Sequence, residues 1–121
     1  ISWISSFCKE EGFFIDSLVF AFFNDDDLKD LNIRFLNHDF YTDVISFDES
    51  NNIFIKGNIA ISVDRVKDNA STFSSLFDDE LKRVIIHGVL HLMGFNDKTD
   101  EEKSLIREKE DSAIEMFHVK Q

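Results

Sequence analysis

A helix that is apolar on every side belongs in the middle of a small domain, because no face of it suits water. Residues 79–93 have that pattern. Val84, Ile85, Ile86, Val89, Leu90, Leu92 and Met93 fall all round the axis, so the sequence predicts a central, buried helix over Asp79–Met93. Asp78 is placed to cap it, and Gly94 to stop it. The only strongly polar side chains in the helix's second half are His87 and His91. At i and i+4 they sit one above the other on one face, with Cβ atoms about 5–6 Å apart.

Two imidazoles so placed reach a single ion at the ~2.0–2.1 Å that zinc prefers. Gly94 lets the chain reverse, and Asp97 then returns as a third ligand through a carboxylate oxygen. Three protein ligands and an open position are the layout of a catalytic zinc site, so the expectation is one Zn2+ per chain on His87, His91 and Asp97. The plainer alternative is a pair of core histidines bonded to backbone, and a bare H-x-x-x-H pair would favour it. The glycine reversal and the well-placed acid shift the balance, since two buried imidazoles are costly unless both are satisfied. His38, in a polar loop, and His118, near the chain's end, fall outside this spacing and read as surface residues.

The pattern resembles the metzincin motif H-E-x-x-H-x-x-G-x-x-H, with Gly88 where peptidases carry the glutamate general base and Asp97 where they carry a third histidine. Without that glutamate the proton acceptor must come from elsewhere, which argues against peptide hydrolysis by the zincin route.

Around this helix the sequence predicts a small sheet with flanking helices. Trp3, Ile4, Phe7 and Cys8 mark an opening helix that ends at Gly12, and Leu18–Phe23 reads as a buried strand. Asn24 caps a second helix whose inner side is Leu28, Leu31, Phe35 and Leu36. Residues 43–47 form a short strand, 48–52 a turn, and from Ile53 the odd positions through Val63 alternate as a half-buried strand paired with 43–47 as a hairpin. Gly57 marks a bulge or a close approach in it. Val63, Val66, Ala70 and Phe73 return to helical spacing. Thr99-Asp-Glu-Glu102 is a capping box for a last helix with Leu105, Ile106, Ala113 and Phe117 inward. The fold class is α+β: one zincin-like domain over residues 1–121, a small mixed sheet flanked by helices and a central metal-bearing helix.

The chain of 121 residues has a net charge of −11, which argues against indiscriminate binding of nucleic acid by bulk electrostatics. Nine of the 24 acids stand at predicted helix starts, Asp25–Asp27, Asp78–Glu80 and Asp100–Glu102, where they complement helix dipoles. Cys8 is the one cysteine, which fits a reducing, cytoplasmic compartment, and no apolar run approaches the ~18 residues of a membrane span. The chain opens at Ile1 without Met and reads as lacking the whole protein's N-terminus.

Taken together, His87-Gly-Val-Leu-His91-Leu-Met-Gly94-Phe95, Leu31-Asn32, Thr42-Asp-Val-Ile-Ser-Phe47 and Gly57-Asn-Ile-Ala-Ile-Ser62 resemble the YbeY family of metal-dependent endoribonucleases. The family's H-G-x-L-H-L-x-G-Y-D-H is matched up to Phe95, with Asn96-Asp97 in place of Asp-His. Asn58 replaces an Asp, and Leu36 stands where the family carries an Arg thought to engage RNA or assist catalysis. The resemblance implies cleavage of RNA in small-subunit ribosomal RNA maturation and ribosome quality control. By matching positions, it implies His87 and His91 as metal ligands, with Asp97 the departure.

On this reading a zinc-assisted phosphodiester hydrolysis is expected, with His87, His91 and Asp97 as the catalytic set and water or an RNA 2′-hydroxyl as the nucleophile. Thr42, Asp43 and Ser46, on the strand expected to face the metal helix, are candidate substrate contacts, though turn chemistry and strand-edge polarity explain them as well. Arg65, Lys67, Lys82 and Arg83 are candidates to grip phosphate, with solvated helix faces the commoner outcome. The expected partners are ribosomal RNA and the small ribosomal subunit, with possible ribosome-associated proteins; no membrane and a monomer are expected. Two other classes stay open: a metal-dependent hydrolase of another substrate, and a ribosome-associated assembly factor with a structural metal. Four protein ligands would favour the assembly factor, an open position the enzymes.

Overall fold

The computed structural model describes residues 2–120, in the order α1 (Ser2–Glu10), β1 (Phe14–Phe23), α2 (Asp25–Leu36), β2 (Val44–Asp48), β3 (Phe54–Ser62), α3 (Val63–Thr72), α4 (Phe77–Leu92) and α5 (Asp100–Lys120). The three strands form one mixed sheet, β1-β3-β2, with β3 central, parallel to β1 and antiparallel to β2. The expected hairpin is there. Its register pairs Ile45 with Ala60 and Phe47 with Asn58.

The period-two reading of β3 assigns its faces correctly from Ile55 to Ile61, whereas Ile53 precedes the strand and is exposed and Val63 opens α3. Ile55, Ile59 and Ile61 point into a core shared with Val84, Val89 and Leu92 of α4, Val66 of α3 and Ile4 and Cys8 of α1. Ala60, one residue out of phase, packs on the opposite face with Ile45 and Leu28 of α2. Gly57 is a close approach and not a bulge: a Cβ there would lie 2.4 Å from the Phe47 carbonyl oxygen and 3.1 Å from Leu92. The register shift lies in β1 instead, between Ile15 and Ser17.

As its composition requires, α4 is central. One side meets the sheet; the other packs Ile86 and Leu90 against Phe7 of α1 and Ile106, Ala113 and Met116 of α5. The Trp3 indole N–H donates to the Ala113 carbonyl at 2.7 Å, joining the first helix to the last. Two predicted caps form as expected. Asn24 accepts from the Asp27 N–H at 2.8 Å, and Thr99 and Glu102 exchange the two bonds of a capping box at 3.1 and 2.9 Å.

Several expectations need correction. The strand expected at Leu18–Phe23 begins at Phe14 and lies at the sheet's edge, with Val19 52% and Phe22 55% exposed, because only one strand neighbours it. Helix α2 buries Leu28 and Asn32, while Phe35 (63% exposed) and Leu36 (43% exposed) belong to its last turn, clear of the buried cluster under Leu28. Phe35 rests edge-on against Phe47, their ring centres 5.8 Å apart. Phe73 is the exposed C-cap of α3 and not part of its inner side. Helix α4 starts with Leu76 as N-cap, so Asp78 sits within the first turn and acts through the helix dipole. On α5 Leu105 faces solvent, and Met116 is buried beside the half-buried Phe117. Among the described residues no helix is long and apolar enough to cross a membrane.

Candidate metal centre

The two histidines occupy the one stretch of α4 covered by neither the sheet nor the apolar part of α5, and both are half-buried. Past Leu92 the helix closes through Gly94 at φ 97°, with the Gly94 N–H on the His91 carbonyl and the Phe95 N–H on the Leu90 carbonyl, both at 3.1 Å. This reversal returns Asp97 to the histidine face. The His87 and His91 Nε2 atoms are 3.0 Å apart, and Asp97 Oδ2 stands 3.3 Å from the first and 3.5 Å from the second. Ligand atoms about 2.0–2.1 Å from a tetrahedral ion stand roughly 3.3 Å from each other, so the triangle has the dimensions of three corners of a zinc-type site.

The outer nitrogens show that these atoms suit a cation. His87 Nδ1 is 2.8 Å from Oε2 of Glu110, and His91 Nδ1 is 3.0 Å from the Phe95 carbonyl oxygen. An ionised carboxylate and a carbonyl can only accept, so both Nδ1 atoms carry the hydrogen. In the neutral rings both Nε2 atoms then present lone pairs to each other and to the Asp97 carboxylate. Such an arrangement needs a positive charge between its members, which a proton or a bound metal ion would supply. Burial works to lower the His87 pKa, yet the Glu110 hydrogen bond and the charges of Glu110, Asp43 and Asp97 outweigh it and raise the pKa above its ordinary value. The negative surroundings that favour a proton there favour a metal cation too.

Glu110 is the residue that the sequence reading missed. It comes from α5, its side chain is almost wholly buried, and its other oxygen accepts from Arg83 at 3.0 Å. The sequence did carry a signal, because Ile106, Glu110 and Ala113 share one inward stripe and an acid on such a stripe requires a partner. Among the described residues the cluster able to hold a metal ion is His87, His91 and Asp97.

Two clefts meet this cluster. One, of about 440 Å³, is charged: His87 and Asp97 line it with Asp43, Arg83, Lys103 and Arg107. The other, of about 380 Å³, reaches His91 past Leu36, Phe40, Thr42 and Ser46. Asp43 lies deep in the first, accepting from the Asn69 amide at 3.1 Å, and burial above all raises its pKa. Arg83 borders the same cleft but is held by Glu110 and Asp111. In the second cleft the Thr42 hydroxyl donates to the Val44 carbonyl, and the Ser46 hydroxyl donates to the Gly88 carbonyl at 2.9 Å. The structure does not bring Arg65 to the cluster; it is paired with Asp25 and Asp68 where α3 meets α2. Lys82 lies over the Phe117 ring, and Arg34, near Leu36, is paired with Asp30.

A buried helix carrying a histidine pair, a carboxylate returned by a glycine turn and a small mixed sheet against the helix define a zincin-like, metal-site α+β protein. The family profile described as Endoribonuclease YbeY matches residues 2–118. An endoribonuclease YbeY of Christiangramia forsetii is 46% identical over 120 residues, covering 99% of this chain and 84% of the relative. That of Flavobacterium psychrophilum is 47% identical over 121 residues, covering 100% and 86%. The solution structure of TM1509 from Thermotoga maritima superposes with a TM-score of 0.64 at 29% identity, over 95% of this chain and 76% of that one. The chain belongs to the YbeY endoribonuclease family.

Proposed function

We propose that this chain is a zinc-dependent endoribonuclease that acts in small-subunit ribosomal RNA maturation and ribosome quality control, as a cytoplasmic monomer. The observation that carries the reading is the His87–His91–Asp97 triangle, whose ligand spacing and fixed Nδ1 hydrogens suit a tetrahedral ion with a position left for substrate. Among the described residues three protein ligands converge, which favours an enzyme over an assembly factor with a closed structural site. The chemistry supplied by a zinc ion held there is Lewis acidity toward a phosphodiester oxygen and a lowered pKa for an attacking water or RNA 2′-hydroxyl. Glu110 and the Phe95 carbonyl hold the two imidazoles in the ligating tautomer.

Position 88 offers no route to peptide hydrolysis. A Cβ on Gly88 would stand 2.9 Å from Ile59 Cγ2 and 3.2 Å from both Ser46 Oγ and Val44 Cγ2, so the position faces the packed sheet and not the metal. On this reading Asp43, Lys103 and Arg107, which line the charged cleft with Arg83, do phosphate and proton work, and Thr42 and Ser46, which border the neutral cleft, contact substrate.

The test is metal analysis followed by incubation with precursor small-subunit ribosomal RNA. His87→Ala and His91→Ala should lose both zinc and cleavage, and cleavage that survives either removes the mechanism. Asp97→His should retain the metal and Asp97→Ala lose it. Zinc retained by a wild-type protein that cuts no RNA would favour the assembly factor.

A further inference from the structure

We infer that the neutral cleft beside the metal centre is a nucleobase subsite whose stacking platform is Phe40 and His38. The inference rests on the endoribonuclease reading and says how the RNA is held. The cleft shares His91 with the metal cluster, and its volume of about 380 Å³ is that of a small-ligand site. Its lining holds no Lys, Arg, Asp or Glu among the described residues, although the chain as a whole carries a charge of −11. A phosphate finds no lysine or arginine there. A base is uncharged and presents a π-face, which suits an apolar, aromatic wall.

The platform is held by its backbone and turned outward. The His38 and Phe40 rings stack at 5.1 Å and 21°, and Phe40 is 53% exposed. They follow Asn37, the left-handed C-cap of α2 at φ 56°, and the buried Asn32 holds both of their backbones. The His38 N–H donates to the Asn32 carbonyl at 3.1 Å, and the Asn32 amide donates to the Phe40 carbonyl at 3.0 Å. A ring presented on an anchored backbone loses less conformational freedom on binding. Across the metal cluster the charged cleft offers Lys103 and Arg107. A strand crossing the cluster would therefore have its phosphates on one side and its base on the other.

The test is affinity of the zinc-loaded protein for a single-stranded RNA oligonucleotide carrying 2-aminopurine at successive positions, read by fluorescence, with cleavage of the same RNA followed separately. Phe40→Ala should weaken binding about ten-fold, the loss of one stacked base, and Phe40→Trp should restore it. An abasic ribose at the responding position should weaken wild-type binding equally and cost Phe40→Ala nothing more. The slope of affinity against salt should not change in Phe40→Ala, because no phosphate contact is removed. Unchanged affinity in Phe40→Ala with normal cleavage overturns the subsite alone, and is the result expected if the cleft docks a protein. Losses that add independently for the abasic site and Phe40→Ala also overturn it. A wild-type protein that binds RNA through Phe40 but cuts none would overturn the nuclease reading and leave the subsite standing.

Discussion

Replacing Glu110 with glutamine keeps the shape of the side chain and removes one acceptor, which makes it the sharpest probe of the metal centre. The carboxylate serves two donors with separate oxygens, the His87 Nδ1–H at 2.8 Å and the Arg83 guanidinium at 3.0 Å. A glutamine has a single acceptor oxygen, and Arg83, which cannot lose its proton, claims it. The amide NH2 then faces His87 Nδ1. The ring relieves that clash by moving its hydrogen to Nε2, the atom that points at His91 and Asp97, and must give up the new bond to act as a ligand. Loss of a charge-assisted hydrogen bond is worth about 1.5–3 kcal/mol. Loss of an outer partner of a metal-binding histidine lowers metal affinity about 10–100-fold, or roughly 1.4–2.8 kcal/mol, so the two estimates agree. The assay is the zinc dissociation constant near neutral pH, by competition with a chromophoric chelator, beside the melting temperature of the metal-free protein. Arg83→Met serves as control: it should lower stability while leaving the Glu110–His87 bond and most of the zinc affinity. Wild-type zinc affinity in a folded Glu110→Gln protein would refute the tautomer argument.

Gly88→Ala should destabilise the protein, because about 1–3 kcal/mol of overpacking against the buried, β-branched Ile59 outweighs a helix-propensity gain of about 1 kcal/mol; a raised melting temperature would contradict this. Burial tends to raise the Asp25 pKa, but the Ser62 hydroxyl and Arg65 outweigh it and hold the carboxyl below its ordinary value of 3.8. Its stabilising contribution is therefore present at neutral pH and lost as pH falls through the lowered value, so Asp25→Asn should melt below wild type at neutral pH, with the gap closing in strong acid. Burial, and then the charge of Glu11, push the Cys8 thiol up to about 11. A thiol reagent at neutral pH should leave it unmodified in the native protein and modify it fully in denaturant, and native-state labelling at the rate of an exposed thiol would argue against the α1 packing.

The His87–His91–Asp97 cluster was legible because all three residues lie within one helix and its closing turn, where spacing alone fixes geometry: three residues between the histidines, then Gly94 before Asp97. Glu110 lies 23 residues beyond His87, and only the packing of α5 on α4 brings them together. The faces of β3 were legible for the same local reason as the histidine pair, since alternation assigns sides without reference to neighbours. The exposure of Val19 and Phe22 is hidden because hydrophobicity does not reveal where a three-stranded sheet ends, and that of Phe35 and Leu36 because it does not reveal where α2 outruns the cluster under Leu28. Asp78 was taken for a cap because an acid favours a helix start equally well from within the first turn. The outward turn of His38 and Phe40 depends on a single buried amide eight residues before the aromatic ring, and periodicity carries no trace of it.

Helix α4 resolves two demands that conflict in the sequence, an apolar surface all round and a polar site on one side. Gly88 is the residue that permits both. Without a side chain there, β2 and β3 approach closely enough for Ser46 to donate to the Gly88 carbonyl, and the sheet takes up that flank of the helix completely. His87 and His91 are thereby left to the adjoining flank, beside the edge of β2, where Glu110, Phe95 and Asp97 converge on them. A glutamate at 88 would enter Ile59, away from the His87–His91–Asp97 cluster, so the proton acceptor for a reaction at that cluster must come from elsewhere. Asp43, off the helix, lines the cleft shared by His87 and Asp97, and burial raises its pKa. The excess of acid in the composition then has two destinations: the first turns of α2, α4 and α5, and the rim of a cation site. Neither attracts RNA over a distance. Affinity in such a chain has to come from contacts made at the site itself.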